Sequence, residues 1–283
     1  TPSFSPVGAV LLNITPDHLG RHGGLDGYIA AKAKIFDKPP AGTRKPIAVI
    51  CVDTPACAEQ AKNLQKRGDW IVIPVSTTKA LEKGVYVADG KLYEMRDGEA
   101  VMITPMDVFP TLKGQHNHEN AACAYALARQ VYGYEPRHIV AAMKSFAGLQ
   151  HRQFPVRRIA GVDYINDSKA TNADATSKAL VCYHKIYWIL GGQPKEGGLQ
   201  GLEPLMNRVA HAYLIGEAAP QFAAWLHENK VAYTHCGTLD VAVTLASDDD
   251  FAAGGRNFNR LGLGRCILRC RCIGGIGGRC RCG

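Results

Sequence analysis

GVDYINDSKATN, residues 161–172, joins a strand signal directly to a polar cluster. Val162, Tyr164 and Ile165 are β-branched or aromatic and follow a tight Ala160-Gly161 turn, so the pattern predicts a strand. Asn166, Asp167, Ser168, Lys169, Thr171 and Asn172 then follow within seven positions. Open α/β sheets bind ligands at the carboxyl ends of their strands. A strand that runs into a carboxylate, a lysine, hydroxyls and amides is therefore a candidate site on its chemistry. The competing reading is a solvated strand-to-helix loop whose Ser or Thr caps the next helix.

Around this stretch the pattern alternates between strand and helix. Residues 157–165 are expected to form the strand itself, followed by helix 173–182, strand 185–191, helix 201–210, strand 211–216, helix 220–229, strand 231–236 and helix 239–245. Upstream, the apolar run VGAVLLNIT at 7–15 reads as a buried parallel strand ending in Pro16-Asp17-His18. An amphipathic helix over 25–36 places Tyr28, Ile29, Lys32 and Ile35 at helical spacing. Strands 45–53 and 70–76 bracket a helix at 56–67, and Asp89-Gly90 centres a hairpin over 85–95. A further strand is expected at 100–108. LKGQHNHEN at 112–120 leads into a long helix through Tyr132, and Pro136 opens another that ends near 146. The class is α/β, in two successive units with mostly parallel sheets.

Composition bounds what the chain can be. With 283 residues, 46% of them hydrophobic and 20% charged, it has enough apolar material for two cores. No run approaches the roughly 18 apolar residues of a membrane helix, and no signal segment opens the chain, so a cytoplasmic protein without membrane or nucleic-acid partners is expected. The net charge of +8 is local: seven Arg and no acid lie in 254–283, and the remaining 26 basic residues face 25 acids. Five of the ten cysteines are scattered singly, as in a reduced core, and five crowd the last 18 positions. Spacings of x3, x1, x7 and x1 among those five do not make zinc knuckles. With no acid and no periodicity, the tail from 251 is expected to be disordered and resembles an out-of-frame translation.

Four segments in this order, LNITPDHLGRHG (12–23), YIAAKAKIF (28–36), LKGQHNHEN (112–120) and GLQHR (148–152), resemble the Mur ligases of peptidoglycan synthesis. INDSKATN is similar to the branch of that family that adds D-glutamate, and LGGQPKEGG (190–198) and LIGE (214–217) fall where that branch has similar stretches. The resemblance implies a central ATP-binding domain with a P-loop-NTPase-like fold over 1–148, a Rossmann-like α/β carboxyl-terminal domain over 149–250, and an unrelated tail over 251–283. It implies ATP and Mg²⁺ as cofactors, UDP-N-acetylmuramoyl-L-alanine and D-glutamate as substrates, and a monomer.

The same resemblance assigns residues. His18 matches a magnesium ligand, and Lys32 matches a lysine that the family carbamylates, which turns a repelled ammonium into an anion able to orient metal. Asn117 and Asn120 match positions facing adenine, although Asn117 could equally cap a helix. Arg152 matches an arginine near ATP, and Asp167 the ribose-binding carboxylate. His151 lies close enough to orient reacting groups. Thr171 and Lys195 match positions that contact D-glutamate, with Lys169 and Ser168 supplying further donors beside them. Taken one by one, His18 reads as a structural histidine and Lys32 as an exposed helix lysine. The reading requires the two groups of residues to converge on one cleft.

The family's phosphate-binding GTNGK-[ST] loop and its first, UDP-binding domain have no counterpart here, and Gly20 stands where the family usually has Asp. The isolated chain is accordingly expected to be inactive. Two other readings stay open: a folylpolyglutamate-synthase-like ligase, and a non-catalytic binding fragment using its basic tail. A nicotinamide-dependent oxidoreductase is disfavoured, because neither strand-to-helix junction supplies GxGxxG.

Overall fold

The computed structural model describes residues 4–15, 19–38, 45–194, 197–252 and 265–271. The chain divides into two compact units, Thr1–Phe146 and Ala147–Gly283. In the first, the order is β1 (Gly8–Leu11), α1 (Leu19–His22), α2 (Leu25–Ala33) continued by a 3-10 turn, β2 (Ile47–Cys51), α3 (Pro55–Arg67), β3 (Ile71–Ser76), β4 (Val85–Ala88), β5 (Lys91–Arg96), β6 (Glu99–Pro105), α4 (Gln115–Tyr132) and α5 (Pro136–Lys144). The strands form one sheet in sequence order, parallel from β1 to β4 and antiparallel from β4 to β6.

β2 explains why its run is apolar without alternation. All five residues are buried: Val49 and Cys51 face a core shared with Ala122, Tyr125 and Ala126 of α4, while Ala48 and Ile50 face Cys57, Ala61 and Leu64 of α3. A parallel strand covered on both sides has no solvent face to carry polar residues. Gly8 of β1 meets the requirement of closest approach, since a Cβ there would lie 2.6 Å from Val131 on α4. The limits of α3 are set locally: Thr54 accepts from Cys57 N–H, Pro55 opens the first turn, and Gly68 closes the helix in the left-handed region. Asp89 and Gly90 both take positive φ, as a two-residue hairpin turn between β4 and β5 demands.

The second unit runs β7 (Phe154–Ile159), β8 (Val162–Asp167), α6 (Ala173–Leu180), β9 (Ile186–Gly191), a 3-10 segment Glu203–Arg208, β10 (Val209–Ile215), α7 (Ala219–Glu228), β11 (Tyr233–Gly237), α8 (Leu239–Ala252) and β12 (Arg265–Arg271). Its sheet has the order β11-β10-β9-β12-β8-β7, with only β7 antiparallel. Trp188, Leu190, Leu214 and Phe222 anchor one core, while Tyr187, Ile189, Tyr213 and Ala242 anchor the core on the other face.

Three expectations change. Residues 157–165 are not one strand: Ala160 and Gly161, at φ 49 and 84, turn the chain so that β7 pairs back on β8. The expected helix at 201–210 is a 3-10 segment, and its Arg208 donates to the carbonyls of Val181 and Tyr183 as the chain becomes extended at Val209. After residue 250, where no order was expected, α8 continues to Ala252 and Arg265–Arg271 forms β12. Composition gave no reason to expect that strand. It forms where β8 and β9 leave a central place whose backbone groups on both sides need partners.

Candidate functional site

In the second unit, the polar cluster begins as β8 ends. Asp167 is buried, 6% exposed, and its Oδ1 accepts from Gln153 N–H at 3.0 Å. Burial pushes its carboxyl up to about 6, against the Gln153 bond and the charge of Arg152, which act the other way. Asn166 stitches the neighbouring loop. Its Oδ1 accepts from Ser168 N–H at 3.1 Å, and its Nδ2 sits 3.1 Å from His151 Nδ1. With the oxygen taken, the amide nitrogen donates, and this network assigns the proton of the exposed His151 ring to Nε2. His151 O in turn accepts from Lys169 N–H at 2.9 Å. His151 and Gln153 hold positive φ values of 65 and 43, an unusual backbone for non-glycine residues, fixed by these cross-links.

The helix cap after β8 is neither Ser nor Thr. Asn172 accepts from Ala175 N–H at 2.8 Å and starts α6. That leaves the half-buried Ser168 and Thr171 and the exposed Lys169 with hydroxyl and ammonium groups not used for capping. Where β9 and β10 end, Gly191 and Gly216 approach closely: a Cβ on Gly191 would fall 1.8 Å from Ile215 O, and one on Gly216 would meet the Gly192 backbone at 3.1 Å. Lys195, just beyond, lies outside the described residues, as does His18 in the first unit.

In the first unit, Asn117 and Asn120 occupy the first two turns of α4. Asn120 Nδ2 donates to Asn117 Oδ1 at 3.3 Å, and Asn117 Nδ2 donates back to Lys113 O at 2.9 Å. Gly114 is the N-cap, so Asn117 is not a cap. α4 is tied to the sheet by Asn13, which donates to Glu119 at 3.2 Å, and by Gln115, which reaches Thr77 Oγ1 at 3.4 Å. Lys32 is half-buried on α2, its Nζ 5.1 Å from the centre of the Tyr28 ring one turn earlier, a cation–π contact.

Sequence reading missed the densest polar cluster of this unit. Asp53, just past β2, accepts from Ser76 Oγ at 2.5 Å, Thr77 N–H at 2.7 Å, Thr78 Oγ1 at 2.8 Å and Thr77 Oγ1 at 3.0 Å. Burial alone would raise its carboxyl, but these bonds outweigh it and hold the group below its ordinary value. The signal was available, since β2 and β3 both end in polar residues at the carboxyl edge of a parallel sheet. Among the described residues, no group of three or more His, Cys, Asp and Glu is placed to hold a metal ion, and no helix is long and apolar enough to cross a membrane.

Comparison with known proteins agrees with this architecture. The Mur ligase middle domain matches residues 2–128. A UDP-N-acetylmuramoylalanine–D-glutamate ligase from Rhodospirillum rubrum is 50% identical over 246 residues, 87% of this chain and 50% of that protein. One of the same name from Paramagnetospirillum magneticum is 47% identical over 239 residues, 84% of this chain and 50% of that protein. The chain thus spans about half the length of the curated relatives it matches. Among solved structures, MurF from Acinetobacter baumannii superposes with a TM-score of 0.63 at 18% identity, covering 94% of this chain and 57% of that one. UDP-N-acetylmuramate-alanine ligase MurC from Thermotoga maritima gives 0.64 at 14%, covering 96% and 57%. At those identities the likeness concerns the fold alone, but with the close sequence relatives beside it the conclusion is plain: this chain belongs to the Mur ligase family.

Proposed function

We propose that the chain is part of an ATP-dependent ligase that joins D-glutamate to UDP-N-acetylmuramoyl-L-alanine. The observation that carries this reading is Asp167, a buried carboxylate at a strand end with one oxygen held by a backbone N–H and the other without a hydrogen-bond partner among the described residues. Such a group suits a pair of adjacent sugar hydroxyls, which offer donors and no charge of their own.

The other roles follow from donor chemistry. Asn120, its carboxamide oxygen unpaired among the described residues, can accept from an amino group on a base edge while Asn117 orients it. Arg152 offers a planar set of donors for phosphate oxygens. D-Glutamate is a dianion, which Lys169 and Lys195 would neutralise while Thr171 and Ser168 donate hydroxyl hydrogens. His151, with its proton on Nε2, can donate to a reacting oxygen. ATP with Mg²⁺, when bound, supplies the phosphoryl group that converts the acceptor carboxylate into an acyl phosphate open to amine attack. His18 and a carbamylated Lys32 would hold the metal. The carbamate would exchange the ammonium now lying over Tyr28 for an anion.

Thermal-shift titrations test the proposal. ATP with Mg²⁺ should stabilise the parent chain, and Asn120→Ala and Asp167→Ala should each lower that affinity about tenfold, a loss of one or two hydrogen bonds. D-Glutamate should stabilise it where L-glutamate does not, with Thr171→Val removing the difference. A preference for L-glutamate together with a folate would favour the folylpolyglutamate-type ligase, and no response to any nucleotide would refute the proposal.

A further inference from the structure

The first unit carries a concavity of about 570 Å³ between β6 and α5. Four consecutive residues of β6, Val101 to Thr104, line it. Because side chains alternate between the faces of a strand, four in a row can border one groove only if the groove runs along the strand's edge. β6 is the last strand of its sheet, so on that side its backbone has no strand partner among the described residues. Met102 stands 50% exposed on it.

The facing wall is one side of α5. Arg137, Val140, Ala141 and Lys144 recur at helical spacing along the groove, with exposed cations at its two ends and small apolar groups between. Neither Arg137 nor Lys144 makes an ion pair among the described residues. Arg96, also on the rim, is spent: it pairs with the buried Glu94, which Arg129 also approaches at 3.6 Å, and Arg129 reaches Glu135 at 3.5 Å. Those four charges cancel. The groove's uncompensated charge is therefore positive, from Arg137 and Lys144, and no acidic residue lines it. Seven residues of helix span about 10 Å, the rise of roughly three steps of extended chain, so both walls offer the same length.

We propose that this groove binds an extended acidic peptide of another protein, added as a further strand on β6 with its carboxylates paired to Arg137 and Lys144. An open strand edge supplies main-chain affinity and the flanking cations supply selectivity. A nucleic acid would meet only two free cations and would leave the backbone edge unpaired. A second copy of this chain would set two like-charged grooves side by side.

Fluorescence anisotropy with a fluorescein-labelled hexapeptide alternating valine and glutamate tests this on the full chain. Binding should weaken with salt. The double variant Arg137→Glu and Lys144→Glu changes only exposed side chains and leaves the basic 254–283 segment intact, and it should lower affinity about tenfold or more. N-methylation of alternate peptide nitrogens should lower it similarly, because the ladder bonds are lost. Undiminished affinity in either arm would overturn the proposal. So would competition by oligothymidylate of equal charge as effective as by unlabelled peptide, or a chain dimer in sedimentation that excess peptide does not dissociate.

Discussion

In its proposed role as acceptor for sugar hydroxyls, Asp167 would set function against stability within one side chain. Its carboxyl is raised from 3.8 to about 6, so the folded state holds a proton more tightly than the unfolded chain does. Stability from this group is fully present below about 4 and declines as pH rises through about 6, which leaves the ionised form a burden of up to about 3 kcal/mol at neutral pH. Asp167→Asn should therefore stabilise the unliganded chain at pH 7.5 by up to that amount and by progressively less toward pH 5, measured by urea unfolding. The same change should weaken nucleotide binding. Parent affinity should itself fall as pH drops through 6, because the hydroxyl acceptor becomes protonated. A stabilisation independent of pH would show that burial of the charge is not its source. The place of Asp167 at a strand end, after VDYIN, was legible in the sequence, whereas its burial was not, since Gln153 and the left-handed loop that cover it are set by contacts fourteen residues away.

At the level of elements, the ends of β2 and β3 are clasped by Asp53, and the clasp extends through Thr77 to Gln115 at the start of α4. The N-terminal turns that present Asn117 and Asn120 thus lean on a carboxylate far away in sequence. Asp53→Ala leaves the hydroxyls of Ser76, Thr77 and Thr78, the Thr77 N–H and the Cys51 thiol without their acceptor and should destabilise the first unit by about 1–3 kcal/mol. Because the carboxyl is held below its ordinary value, the parent's advantage is present above pH 4 and is lost as acid titrates the group, so the two proteins should converge below that. Hydrogen exchange should show the loss first at residues 115–120; protection there unchanged would remove the link. Apart from the 3-10 segment at Glu203–Arg208, the helices and the β4–β5 hairpin were readable from residues within a turn of one another. Of the β7–β8 reversal only the Ala160-Gly161 turn was readable; that residues 154–159 pair back on β8 was not, because pairing depends on the partner strand and not on the turn.

Over the whole molecule, two units with separate cores carry separate polar clusters, and the second unit's sheet is completed by residues 265–271. Ending the chain at residue 252 would remove β12 and leave β8 and β9 with facing unpaired edges. Exchange protection should then fall in β8 and β9, including Asn166 and Asp167, while β1 to β6 keep theirs; equal protection would mean that the strand contributes nothing to the sheet. By itself the sequence determined what depends on near neighbours: the alternation of strand and helix, the tight turns, and the ordered motifs that mark the family. Only the tertiary structure decided the order of strands, the place of β12 at the centre of a sheet, the clasp on Asp53 and the raised Asp167. Each of these depends on which distant groups exclude water from one another or complete one another's hydrogen bonds, and that information is not carried by spacing along the chain.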